Sequence, residues 1–531
     1  MARTDFDAIV VGAGFAGLYM LYQLRDRGFR VKVYEAGSDI GGTWFWNRYP
    51  GARCDVESLE YSYQFSEELQ QDWDWSERYA TQPEILKYVN HVADRFDLRR
   101  DIQFNTHIAA VVFDEASRSW AVRTAAGENV TARYCIMATG CLSSTNLPDI
   151  KGRDRFKGGT YHTGNWPKIE PDFTGKRVGV IGTGSSAIQA IPVIAEQAAH
   201  LYVFQRTPSY AVPAYNGPYD LDYVKKRKEN YADFRNAAKQ TRSGILRPVN
   251  ERNAAESSKA EREETFESRW QEGGLTFLGA FNDLLVDKGA NDTAAEFVRR
   301  KIRETVKNPD VAELLSPKTV VGCKRMCVDT NYYRTYNRPN VTLFDVSSLP
   351  IDEITKKGIR RGGTQIELDE IIFATGFDAM TGALMKIDIR GRAGRRLRDK
   401  WAEGPKTYLG LAISGFPNFF IINGPGSPSV LANMMPAIEH HVEWIANCID
   451  DVRQKEGECI EAESAAEEDW VAHTNAVAAR TLFPSCNSWY LGANIPGKPR
   501  VFMPYLGFSN YLEKCQQVVD AGYEGFSVSG P

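Results

Sequence analysis

Residues 6–35 read FDAIVVGAGFAGLYMLYQLRDRGFRVKVYE, and the order of residue types in this stretch decides the fold. Phe6 to Val11 are mostly apolar and rich in β-branched residues. Three glycines follow, then Leu18 to Leu24 at helical spacing, then a second strand from Arg30 to Glu35. A run with strand character that turns helical and then returns to strand is a βαβ unit. Set between strand and helix, Gly12-x-Gly14-x-x-Gly17 has a mechanical meaning. Two glycines let the backbone approach a pyrophosphate, the third lets helix and strand pack closely, and the helix N-terminus faces the anion. Glu35 stands 18 residues after Gly17, near the position where a carboxylate accepts ribose hydroxyls.

The switch recurs: a strand over Arg177–Ile181, the turn Gly182-Thr183-Gly184, a helix through Ile188, Ile191 and Ile194, and a strand over Leu201–Gln205. Here alanine (Ala187) replaces the third glycine. Where an acid would select NADH stand Gln205-Arg206-Thr207, and a guanidinium beside a hydroxyl suits a 2′-phosphate, so NADPH is expected. Two such units imply two nucleotides, since each offers one helix N-terminus and one crevice. Between about 216 and 318 the chain is charged, Ala-rich and helical in spacing, with helices predicted over Tyr223–Lys239, Glu261–Gln271 and Thr293–Val306. Strands at Val341–Asp345 and Glu370–Ala374 are expected to complete the second sheet. The fold class is α/β: two Rossmann-like dinucleotide-binding domains with a helical insertion, in keeping with 531 residues.

Composition narrows the function. Sixty-four basic against 68 acidic residues give a net charge of −4 with no basic stripe, which disfavours nucleic acid as a partner. The N-terminus lacks the basic region and cleavage site of a signal peptide, so secretion is not expected. The most apolar later run, Leu409 to Ile422, is broken by Ser414, Pro417 and Asn418, so no membrane span is expected. Nine cysteines without any C-x-x-C point to free thiols in a reducing compartment, with neither a disulfide framework nor a metal site, and hence to the cytoplasm.

Two further blocks carry a resemblance. Residues 41–55 read GGTWFWNRYPGARCD, and Phe156-x-Gly158-x-x-x-His162-x-x-x-Trp166-Pro167 precedes the second unit. After such a βαβ unit these resemble the Baeyer–Villiger monooxygenases. Related N- and S-oxygenating flavoproteins usually carry Phe or Tyr where Trp166 stands. The resemblance spans Phe6 to about Gly525 and implies FAD in the first unit and NADPH/NADP+ in the second. On it the chain divides into an FAD-binding domain (1–147 and 377–531), an NADP-binding domain (148–215 and 319–376) and the insertion (216–318). Ala138-Thr139-Gly140 and Ala374-Thr375-Gly376 look like the crossings between the two domains.

The resemblance also implies site residues. Gly12, Gly14, Gly17, Glu35, Gly42, Thr43, Trp44, Trp46, Asp55 and Tyr61 would hold FAD. Gly182, Gly184, Ser185, Ser186, Gln189, Arg206, Thr207 and Lys324 would hold the nicotinamide nucleotide, with Arg325 and Trp489 beside it. Arg325 and Asp55 match the catalytic arginine and its aspartate. Ser429, Val430, Leu431 and Trp489 match the substrate side, Trp489 on a mobile loop that closes and keeps water from releasing hydrogen peroxide. His162 matches a linker residue that couples domain motions. The implied reaction uses NADPH and O2 to insert one oxygen atom next to a ketone carbonyl through a flavin peroxide and a tetrahedral adduct, giving an ester or lactone. A cation that cannot lose its proton suits that anion. Gly424 to Leu431 look closer to the aryl-ketone and steroid branch than to the cyclohexanone branch. The alternatives are N- or S-oxygenation, a flavoprotein that only senses NADPH, and a disulfide reductase. The last needs a cysteine pair near the flavin, yet Cys54 has no close partner in the sequence and Cys323 and Cys327 lie elsewhere.

Overall fold

The computed structural model describes residues 4–247 and 250–530. Its first sheet is built on Phe6–Val11, which runs parallel to Val31–Tyr34 on one side and to Asn129–Met137 on the other. Both faces of this strand are covered. Ala8 and Val10 pack into the cluster under the helix Phe15–Asp26, while Ile9 and Val11 pack into a second cluster with Trp120 and Phe419. That double burial explains why it reads as a continuous apolar run rather than an alternating one. Ile102–Gln103 extends the sheet past Val31–Tyr34, and Ser119–Thr124 and Ile108–Asp114 form an antiparallel flank. Asp388–Arg390 and Phe419–Ile421 join this sheet in parallel, so the chain returns to it late in the sequence.

The second sheet is wholly parallel, in the order Val341–Asp345, His200–Gln205, Arg177–Ile181, Glu370–Phe373, Gly159–His162. Between its halves lie the helices Leu221–Glu229, Tyr231–Lys239, Lys259–Glu272, Lys288–Thr305 and Pro309–Leu315. The single helix predicted over Tyr223–Lys239 is two. Asn230, at φ −126°, ends the first, and its side-chain amide donates back to the Lys226 carbonyl, a local bond that competes with helix continuation.

Each glycine turn is pressed against the end of a neighbouring strand. At Gly12 (φ +108°) a Cβ would sit 2.5 Å from the Ala138 oxygen, and at Gly182 (φ +111°) 2.3 Å from the Ala374 oxygen. The two Ala-Thr-Gly segments therefore back the two nucleotide turns in the same way. No helix among the described residues is long and apolar enough to cross a membrane.

The helix Met434–Gln454 packs along Phe15–Asp26 and carries the buried Glu439. One oxygen of Glu439 accepts the Gln64 and Phe65 N–H groups, and the other has no partner. Burial pushes this carboxyl up to about 8 from 4.5. A group whose folded value is raised stabilises the fold fully below its unfolded value and loses that contribution as pH climbs to its folded value. Glu439→Gln is therefore expected to melt like the parent near pH 4.5 and several degrees above it near pH 8. Thermal melts at both pH values check this, and a variant no more stable near pH 8 refutes it.

Candidate active site between two nucleotide clefts

The first cleft opens at the N-terminus of Phe15–Asp26. No side chain caps this helix and no acid lies in its first turn, so its leading N–H groups face an approaching anion unopposed. Gly42 (φ +53°) lies so close that a Cβ there would meet the Gly14 Cα at 2.9 Å. Glu35 is buried, and its two oxygens accept the Ala13 N–H (2.7 Å) and the Gly37 N–H (2.6 Å). Burial raises its pKa and those two donors oppose the rise. Its carboxylate thus braces the glycine turn and keeps a lone pair on each oxygen for ribose hydroxyls. The aromatic block forms one helical turn, Thr43–Trp46. Thr43 is exposed. Trp44 is buried and donates to the hydroxyl of the half-buried Tyr61 at 3.1 Å. Trp46 is half-buried, and its carbonyl accepts the Trp166 N–H. Uncapped donors, glycines that a Cβ would obstruct and a carboxylate at the strand end together fit FAD.

The second cleft repeats the arrangement. Gly184 precedes the helix Ser185–Gln197, again without a side-chain cap or first-turn acid. Ser185 touches Cys327, while Ser186 lies near the Tyr49 hydroxyl. Gln189 is already engaged, accepting from the Tyr49 hydroxyl (2.8 Å) and donating to the Arg53 carbonyl (3.1 Å), so it ties this helix to the first domain. The Thr207 carbonyl accepts from the Thr183 hydroxyl. Burial lowers the Lys324 pKa, and the positive charge of Arg206 lowers it further. Among the described residues neither cation has a carboxylate within ion-pair distance. Two unpaired cations near each other are the complement of a dianion, which fits the 2′-phosphate of NADP. Arg206→Ala is expected to raise the KM for NADPH about 10- to 100-fold while changing that for NADH far less. Steady-state kinetics with both cofactors check this, and equal effects on both refute it.

Arg325 and Asp55 meet from 270 residues apart. Nε donates to Asp55 Oδ2 at 2.5 Å, one terminal nitrogen donates to Oδ1 at 2.8 Å, and the other donates to the Val430 carbonyl at 2.8 Å. Burial works against the charge, but the Asp55 carboxylate more than offsets it, so the guanidinium pKa lies above its ordinary value. The third bond ties the arginine to the turn Ser429–Leu431, in which Ser429 adopts φ +42°. Val430, Leu431, Trp489 and Tyr490 share one hydrophobic cluster beside it. His162 accepts the Gly164 N–H at Nδ1, and its Nε2 lies 3.3 Å from both the Asn146 carbonyl and the Thr375 hydroxyl. The ring thus sits at the second crossing rather than beside Arg325.

Two features had no signal in local sequence. Ile245, Leu246 and Arg247 of the insertion line a small cavity that also contains Asp55, Glu60 and Tyr79. Arg247 is pushed down to about 10, by burial and against the pull of Glu60. The other feature corrects the reading of all nine cysteines as free thiols: Cys323 and Cys486, 163 residues apart, form a disulfide, and the other seven are free and buried. The spacing of cysteines along a chain says nothing about pairs that only folding brings within reach.

Residues 9–240 match the family model of the pyridine nucleotide-disulphide oxidoreductases. A Baeyer-Villiger monooxygenase from Pseudooceanicola batsensis is 46% identical over 98% of this chain and 95% of its own length. A phenazine N-monooxygenase from Lysobacter antibioticus is 42% identical over 99% of this chain and 97% of its own. An oxidized steroid monooxygenase bound to NADP superposes with a TM-score of 0.95 at 51% identity, covering 99% of this chain and 100% of that one. The chain therefore belongs to the Baeyer–Villiger monooxygenases, flavoproteins that work with FAD and NADP.

Proposed function

We infer that Arg325 and Asp55 form the active-site ion pair of a ketone-oxidising enzyme, with FAD in the first cleft and NADP in the second. The enzyme is an NADPH- and O2-dependent flavin monooxygenase that inserts one oxygen atom next to a ketone carbonyl to give an ester or lactone. When bound, FAD and NADPH supply the reducing equivalents and activate oxygen. The chain's own residues do the rest. Arg325 presents a permanent positive charge where negative charge develops on oxygen, and a preorganised cation stabilises that charge without reorganising. Asp55 holds the guanidinium plane by its two bonds, and the Val430 carbonyl fixes the third nitrogen. Arg206 and Lys324 hold the 2′-phosphate. Trp489 and its loop exclude water from the cluster containing Val430 and Leu431.

The observation that carries this reading is the two-bond Arg325–Asp55 pair tied to the substrate-side turn. The 51% identity to a steroid monooxygenase supports a preference for bulky aryl or steroid ketones. A cytoplasmic location belongs to the same proposal, supported by seven buried free thiols. The test is to incubate the holoenzyme with NADPH and cyclic, aryl and steroid ketones. Esters or lactones formed in step with NADPH use support the reading, and products without an added oxygen atom for every ketone overturn it. N-oxygenation is the second reading, favoured by the phenazine N-monooxygenase relative. An N-heteroaromatic substrate in the same panel separates the two.

A further inference from the structure

The bridge between Cys323 and Cys486 joins two parts of the site. Cys323 directly precedes Lys324 and Arg325, and Cys486 lies three residues before Trp489. Both cysteines are buried in the cluster that contains Val430, Leu431, Trp489 and Tyr490. On its far side the Trp489 segment is already fastened. The Asn494 side chain donates to the Phe377 carbonyl at 2.8 Å, and Lys498 reaches Asp378 and the Ala379 carbonyl. On its near side the noncovalent holds are weaker: the Leu482 N–H donates to the Leu285 carbonyl, and Phe483 packs on Tyr490 and Phe502. The disulfide is thus the firm anchor at the near end, and it fastens the segment to the turn that bears the catalytic cation.

We propose that Cys323 and Cys486 are positioning residues whose disulfide clamps the Trp489 segment closed over the site, so that NADP+ leaves the bridged enzyme more slowly than the reduced one. The clamp is redox-dependent. Hydrogen peroxide, released whenever water reaches the activated oxygen, is the oxidant. One cysteine sulfur attacks the O–O bond and becomes a sulfenic acid as the first water forms. The second cysteine sulfur then attacks that sulfur, and the S–S bond forms as the second water leaves. Two thiols and one peroxide thus give one disulfide and two waters. Because both cysteines are buried when the segment is closed (5% and 9% exposed), peroxide meets them only after it opens. An enzyme that leaks peroxide through a loose segment would thereby fasten it, and a small-molecule thiol would release it.

This inference rests on the reading of Trp489 as part of the site, and its test needs no ketone. Holoenzyme carrying NADP+ is treated with hydrogen peroxide or with dithiothreitol, and free thiols are counted after denaturation. Seven are expected in the first sample and nine in the second. NADP+ displacement by an excess of a spectrally distinct analogue is expected to be about tenfold faster in the reduced enzyme, since the tether makes reclosure intramolecular. In Cys486→Ser, and in Cys323→Ser as a second variant, displacement should be fast and indifferent to dithiothreitol. Nine thiols after peroxide, equal displacement rates in the two parent samples, or a dithiothreitol effect that survives in both variants would overturn the proposal. So would a rise from seven to nine thiols on anaerobic addition of NADPH alone, which would make the pair an electron acceptor rather than a clamp. The parent comparison requires no variant to fold. Loss of ketone oxidation with a bridge-dependent release rate would instead count against the function proposed above.

Discussion

Arg325→Ala is expected to lower ester formation about 10³-fold while NADPH still reduces the flavin at a measurable rate. In the mechanism we propose, the two half-reactions separate because the guanidinium would serve the oxygen-transfer half. Its fork is spent on Asp55 and on the Val430 carbonyl, so it is held against the turn Ser429–Leu431 as a fixed charge rather than as a mobile one. Removing it takes away a preorganised cation and leaves Asp55 as an unpaired carboxylate in a partly enclosed site, which adds a cost. Arg325→Lys is expected to recover only part of the loss, since an ammonium group restores charge but cannot make two parallel bonds to one carboxylate. Anaerobic stopped-flow reduction and product analysis by gas chromatography measure the two halves. Unimpaired ester formation in Arg325→Ala would remove this residue from the mechanism.

Gly17→Ala is expected to yield protein that fails to retain FAD or to fold. A Cβ at position 17 would lie 1.8 Å from the Gly12 carbonyl oxygen. Gly12 cannot retreat, because it is itself pressed against Ala138. The collision is between backbone and side chain inside a packed βαβ unit, and such overpacking costs about 3 kcal/mol or more. Gly184→Ala is the informative contrast: a Cβ there meets nothing within 4 Å, and its φ of −85° suits any residue. That variant should fold, stay yellow and lose only affinity for NADPH. The flavin absorbance of purified protein and its melting temperature decide the matter. A yellow, normally melting Gly17→Ala would refute the close-packing argument.

Much of the architecture was legible because its signals are local. A glycine required at Gly12 or Gly182 appears as a glycine, a helix face appears as a period, and a strand covered on both sides appears as an unbroken apolar run. The late strands Val341–Asp345 and Glu370–Phe373 were legible for the same reason, and both take their places in the second sheet. Errors arose where a local bond competed with the period, as at Asn230, and where a side chain chose a distant partner.

Local order along the chain therefore determined the two nucleotide turns, the strands behind them and the choice of arginine over acid at position 206, since each depends on neighbours within one βαβ unit. The resemblance had already implied that Arg325 pairs with Asp55. Only the tertiary structure decided that Arg325 also grips the Val430 carbonyl, that Gln189 bonds Tyr49 and Arg53, that Arg247 of the insertion lines the same cavity as Asp55, and that Cys323 closes on Cys486. Those contacts join residues far apart in the chain, and their geometry follows from how sheets and insertion pack, which no spacing along the chain encodes.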